Sequence, residues 1–85
     1  MANGTAVAVN VQYYALFREQ RGLSNEQRTT EAATLRQLYE ELAGQFRFTL
    51  TADRVQVAVD DEFAEWDQPV KANSRIVFIP PVAGG

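Results

Sequence analysis

The sequence predicts an α+β domain: a mixed sheet of about five strands with one main helix packed on one face. Three observations carry this. Residues 6–14 alternate apolar and polar, residues 34–46 carry a single apolar stripe at helical spacing, and a short apolar run, RIVFI, is closed by two prolines. The element order is strand, strand, helix, strand, strand, strand, with a short extra helix between the first two strands.

In the first strand, Val7, Val9, Val11 and Tyr13 share one face, while Ala8, Asn10, Gln12 and Tyr14 share the other. Period-two alternation with β-branched residues reads as a half-buried strand. Tyr14 is the odd member, an aromatic on the nominally wet face. Ala15 to Arg21 reads as two turns of helix stopped by Gly22. Glu26 to Thr30 is polar and fits a short edge strand. The main helix is expected over Thr34 to Phe46, with Leu35, Leu38, Tyr39, Leu42, Ala43 and Phe46 on its stripe. Thr34 is a suitable N-cap, and Gln37 occupies the third position of a capping box. Residues 47–54 read as an irregular connection. Val55, Val57 and Val59 alternate as a further strand, and Asp60-Asp61 turns into a partner strand at Phe63 to Trp66. Pro69 and the stretch Ala72 to Ser74 read as loop. Arg75 to Ile79 is apolar enough for a central strand. Pro80 and Pro81 stop it, since neither has a backbone N–H for the ladder.

The composition narrows the classes of function. At 85 residues the chain is one small domain, without repeats, low-complexity tracts or interdomain linkers. It has no Cys and no His, hence no disulfides, no thiol nucleophile and no soft metal ligands. The absence of Cys fits a reducing cytoplasm. A net charge of -3 argues against nucleic-acid binding, which needs a basic face. No apolar run approaches the roughly 20 residues that cross a bilayer, and Met1 to Thr5 lacks the features of a secretory signal. Residues 1–5 are expected to be a disordered tail, 6–79 the folded domain, and 80–85 an extended, flexible C-terminal tail.

The sequence ends in Pro80-Pro81-Val82-Ala83-Gly84-Gly85. The reactive group of such an end is the carboxylate of Gly85. Gly84 and Gly85 have no Cβ, so the backbone can thread a narrow channel and take up φ values closed to other residues. Six residues from Pro80 span at most about 20 Å, at roughly 3.3 Å each. The two prolines stiffen the base of this tail and lower the entropy lost on insertion.

The segments VQYYALFREQRG, TLRQL, VAVDDEFAEWDQPV and above all VFIPPVAGG resemble the MoaD family, the small subunit of molybdopterin synthase. That family has the ubiquitin-like β-grasp fold. The resemblance runs from about Val9 to Gly85; the ending is its most specific part, and 24–33 matches only in length and polarity. It implies a sulfur carrier. A partner enzyme of the MoeB type uses ATP to adenylate the terminal glycine, sulfur then replaces AMP, and the thiocarboxylate donates sulfur to a pyranopterin precursor in molybdenum cofactor biosynthesis. Gly85 is then the chemical residue, with Gly84, Ala83, Val82, Pro81 and Pro80 as the tail that guides it. The resemblance further implies no bound cofactor, no metal, and no active site on this chain. Catalytic side chains belong to a MoaE-like large subunit, in a heterotetramer.

Tyr14, Phe63 and Ile79 align with positions that form the family's apolar contact with the large subunit. Local reading singles them out too. Tyr14 breaks a polar face, Phe63 follows a turn, and Ile79 is out of phase with Ile76 and Phe78. Exposed apolar patches mark partner surfaces; the alternative is a scattered exposed hydrophobe at each position, or simple core. Trp66 is read as packing at the edge of the core. Asp60, Asp61, Glu62, Glu65 and Asp67 lack the spacing of a cation loop and read as a solvated turn. Two further readings stay open: a carrier for thiamine or cysteine synthesis or a ubiquitin-like modifier of lysines, and a β-grasp interaction domain with an inert tail.

Overall fold

The computed structural model describes residues 6–81. The expectations for residues 1–5 and for Val82, Ala83, Gly84 and Gly85 lie outside the described residues. Within them the elements are β1 (Val7–Tyr13), α1 (Ala15–Arg21), β2 (Asn25–Thr30), α2 (Leu35–Phe46), a 3-10 turn (Ala52–Arg54), β3 (Gln56–Val59), β4 (Glu62–Ala64) and β5 (Arg75–Ile79). The five strands form one mixed sheet in the order β2-β1-β5-β3-β4. Only β1 and β5 run parallel; the other pairs are antiparallel. The apolar run of β5 thus lies at the centre and the polar β2 at an edge, where one side of its ladder faces solvent.

The stripe of α2 lies against one face of the sheet. Leu35, Leu38, Tyr39 and Leu42 join Val9, Val11 and Tyr13 of β1, Val57 of β3, and Ile76 and Phe78 of β5 in a single core. Fully burying one such side chain stabilises by about 1.5–3 kcal/mol. Phe17 of α1 plugs one end, edge-on to Tyr39 with ring centroids 5.9 Å apart. Burial pushes the Tyr39 hydroxyl up to about 12, and that group donates to the carbonyl of Leu50 at 2.6 Å.

Two caps set the helix boundaries. Thr34 Oγ1 accepts from the backbone N–H of Gln37 at 3.2 Å, as expected of an N-cap. The Gln37 side chain accepts from Ala33 N–H rather than from that of Thr34, so the box closes one residue early. Gly22 caps α1 with φ +86, a left-handed conformation that glycine adopts without strain.

The second hairpin begins and ends earlier than the sequence suggests. Asp60 and Asp61 have φ values of 51 and 73, the left-handed pair of a two-residue turn whose twist matches the flanking strands. The strand after it is Glu62–Ala64, not Phe63 to Trp66. Trp66 leaves the sheet because its ring has a better place. It stacks on Phe78 at 6.1 Å, packs against Tyr39 at 5.5 Å, and donates Nε1–H to the carbonyl of Val55 at 3.2 Å. Backbone bonds from Arg36 N–H to Trp66 O and from Leu35 N–H to Gln68 O tie the segment to the start of α2. Smaller differences are Asn25 at the start of β2, Val55 buried just ahead of β3, and the 3-10 turn inside the irregular connection.

Candidate functional site

The sheet face away from α2 has no layer over it within the described residues, and the three candidate interface residues meet there. Tyr14, Phe63 and Ile79 line one shallow concavity of about 260 Å³ together with Gln12, Ala58, Asp61 and Val77. Strand register explains the grouping. Gln12 pairs with Val77 across β1–β5, Val77 with Ala58 across β5–β3, and Ala58 with Phe63 across β3–β4. These four residues form one row across four strands. Ile79 is on the same face as Val77, two residues along β5, which is the phase reversal noted in the sequence.

The row is apolar where a wet sheet face would be polar. Phe63 is 74% exposed and Tyr14 51%. Val77 and Ala58 are buried yet do not belong to the core cluster. Their cover therefore comes from the neighbours on this outer face. Neither stood out in the sequence: Val77 reads as one more residue of an apolar strand, and Ala58 as a small residue between valines. The available signal was the alternation of RIVFI, which puts Val77 and Ile79 opposite Ile76 and Phe78.

Polar groups frame the patch. The Tyr14 hydroxyl donates to Gln12 Oε1 at 3.3 Å. Asp61 pairs with Arg75, and Asp60 Oδ1 accepts from the backbone N–H of Arg75 at 2.9 Å, which fixes the β3–β4 turn against the start of β5. Ala15, immediately after Tyr14, has φ 49. A left-handed alanine costs about 1 kcal/mol or more, so the corner holding Tyr14 at the end of β1 carries some strain.

Behind this corner, Glu26 accepts from the Tyr13 hydroxyl at 2.6 Å and from Arg21 Nε and Nη2 at 2.9 and 2.7 Å. The Arg21 hydrogen bonds hold the Glu26 carboxyl below its ordinary range, against the opposing effect of burial. Burial, and then the carboxylate of Glu26, push the Tyr13 hydroxyl well above its ordinary value. Arg21 also lies 4.0 Å over the Phe46 ring. This network joins α1, β1, β2 and α2 beside Tyr14.

The tail leaves from the edge of the patch. Gln56 and Ile79 form the last register pair of β3–β5, and Pro80 follows directly. Ile79, Pro80 and Pro81 line a second concavity with Asp53, Arg54, Val55 and Gln56. The hydroxyl of Thr51 holds the Asp53 carboxyl below its ordinary range. Of the six tail residues expected to guide and carry the chemistry, Pro80 and Pro81 are thus placed beside the apolar row. Among the described residues there is no group of three or more His, Cys, Asp or Glu able to hold a metal, and no helix long and apolar enough to cross a membrane.

Comparison with known proteins agrees with this architecture. The ThiS family profile matches residues 11–85. A Pyrococcus furiosus protein with the provisional name molybdopterin converting factor, subunit 1, is 30% identical, with a TM-score of 0.71 over 89% of this chain and 99% of that one. SAMP1 from Haloferax volcanii superposes with a TM-score of 0.75 at 19% identity, over 92% of this chain and 99% of that one. A chain of the complex between subunits 1 and 2 of the Helicobacter pylori molybdopterin-converting factor matches with a TM-score of 0.62 at 22% identity, over 93% of this chain and 100% of that one. With a ubiquitin-like β-grasp fold and a family match over nearly its whole length, the chain belongs to the ThiS family of sulfur carriers and ubiquitin-like modifiers.

Proposed function

We propose that this chain is the sulfur-carrying small subunit of a molybdopterin synthase. One observation carries the reading. An exposed apolar row, with Phe63, Tyr14 and Ile79 on its rim, ends where Pro80 and Pro81 start a tail that runs to a glycine pair. A partner seated on the row receives the tail at a fixed point. The family match through residue 85 and the 30% identity to the Pyrococcus furiosus subunit support the assignment.

The division of labour follows from the chemistry. A carboxylate is a poor acyl donor, and an adenylate supplies the leaving group. An adenylating enzyme with ATP activates Gly85, and sulfur replaces AMP on its carbonyl carbon. The large subunit then takes the tail into its own site, where its side chains direct sulfur to the pyranopterin precursor. This chain contributes docking, reach and the carried atom. The Phe63 row supplies desolvated anchoring area, and the prolines reduce the ordering cost of the tail.

The test is reconstitution with a MoaE-like large subunit. A stable complex that converts the precursor to the dithiolene only when the chain is thiocarboxylated supports the reading. No complex, or conversion that does not depend on Gly85, overturns it. A second reading shares the tail and changes the acceptor, because the matching family is that of ThiS. Sulfur delivery to thiamine precursors without the large subunit would select it.

A further inference from the structure

Lys71 is the only lysine in the chain, against seven arginines. A guanidinium stays protonated and is a poor acyl acceptor, whereas a lysine amine is a competent one. We propose that Lys71 is a self-modification site: the activated carboxyl of Gly85 in one copy is transferred to Lys71 Nζ of a second copy. The inference rests on the reading of Gly85 as an activated acyl carrier, and it goes beyond that reading by giving the carrier a single defined amine acceptor.

The setting of Lys71 suits an acceptor. The residue is exposed, on the connection between β4 and β5, and its backbone is tied down on both sides. Val70 N–H donates to Ala33 O at 3.0 Å, Asn73 N–H to Ala8 O at 2.6 Å, and the buried Ser74 donates Oγ–H to Lys71 O at 2.6 Å. The side chain lines an open concavity with Asp60, Glu62, Phe63 and Gln68, beside the apolar row. An acceptor on a fixed turn loses little backbone entropy when it is engaged.

Topology favours a second copy over cyclisation. Lys71 precedes β5 and the tail follows it, so the two are separated by the strand, about 16 Å for five residues. Residues 80–85 reach at most about 20 Å and begin with two prolines, whose fixed φ opposes a tight reversal. Folding back would use nearly the whole reach.

The step balances with ATP as the only co-reactant. The adenylating partner joins Gly85 to AMP and releases pyrophosphate. The Lys71 ammonium loses a proton, Nζ attacks the acyl carbon, the C–O bond to AMP breaks and AMP leaves with the electron pair. The nitrogen then sheds a second proton as the amide forms. Nothing is oxidised or reduced.

The full chain is incubated with a MoeB-type adenylating enzyme and ATP, without a sulfur donor, while pyrophosphate release, covalent size and fragment masses are followed. The expected product is a covalent dimer linked from Gly85 to Lys71. K71R should lose the dimer and release pyrophosphate at the wild-type initial rate. Pyrophosphate release without any dimer, or a dimer that persists in K71R through the α-amine, overturns the proposal. Absence of pyrophosphate release contradicts the carrier reading itself, and the proposal falls with it.

Discussion

Phe63 stands directly opposite Ala58 in the β3–β4 pair, and the small alanine leaves the phenyl ring largely uncovered, 74% exposed. A ring so placed adds little to the stability of the free protein. It is available to a partner, and it extends the row begun by Val77 and Ala58. Phe63→Ala should therefore change unfolding free energy by no more than about 0.5 kcal/mol. If the row is the docking surface, the same substitution should weaken binding to the large subunit by about 2 kcal/mol, roughly thirtyfold. Denaturant titration and calorimetric binding of the one variant separate the two effects. A large loss of stability would show that Phe63 belongs to the core.

Trp66 has the opposite character. Its ring stacks on Phe78 and its Nε1–H reaches the carbonyl of Val55. Trp66→Phe keeps an aromatic ring over Phe78 and removes the donor, at a cost of about 1 kcal/mol. Trp66→Ala also leaves a cavity beneath α2, at about 3 kcal/mol. Urea denaturation followed by circular dichroism orders the variants, and equal costs would contradict this packing.

These two residues mark how far the sequence could be read. The alternation in β1, the stripe of α2 and the proline stop after β5 place the sheet, the helix and the tail, because each depends on local periodicity. The exposure of Tyr14 and the outward phase of Ile79 follow from the same periodicity. The end of β4 was not legible. Trp66 leaves the strand for contacts with Tyr39, Phe78 and Val55, all distant in sequence, and no local pattern encodes them. The row from Gln12 to Phe63 was hidden for a related reason. It depends on strand order and register, which bring together residues from four strands.

The same substitution should have opposite signs at two glycines. Gly22 has φ +86 and open space where a Cβ would stand, so Gly22→Ala meets no clash but does meet backbone strain, and should cost about 1 kcal/mol. Gly44 lies inside α2, also with open space, and Gly44→Ala should stabilise by about 0.5–1 kcal/mol. Thermal melts of the two variants should move in opposite directions. Equal shifts would mean that the left-handed cap at Gly22 does not form.

The Glu26 network gives the fold a defined response to acid. The carboxyl is held below its ordinary value of 4.5 in the folded protein, chiefly by the hydrogen bonds from Arg21. A carboxyl with a depressed folded value contributes stability above its unfolded value, and that contribution disappears as pH falls through the folded value. Glu26→Gln should therefore cost about 1–2 kcal/mol near neutrality. The gap between wild type and variant should narrow as pH drops below 4.5. Unfolding free energies measured at several pH values check this, and a gap that widened in acid would reverse the assigned sign.

The central claim is that Gly85 carries the transferred atom while the folded domain only docks. Its most direct test is the intact mass of the chain after incubation with an adenylating enzyme, ATP and a sulfur donor. The expected result is one oxygen-to-sulfur exchange that maps to Gly85, is lost when Gly85 is removed, and persists in Phe63→Ala at saturating enzyme. An unchanged mass despite consumption of ATP, or sulfur found elsewhere in the chain, would contradict it.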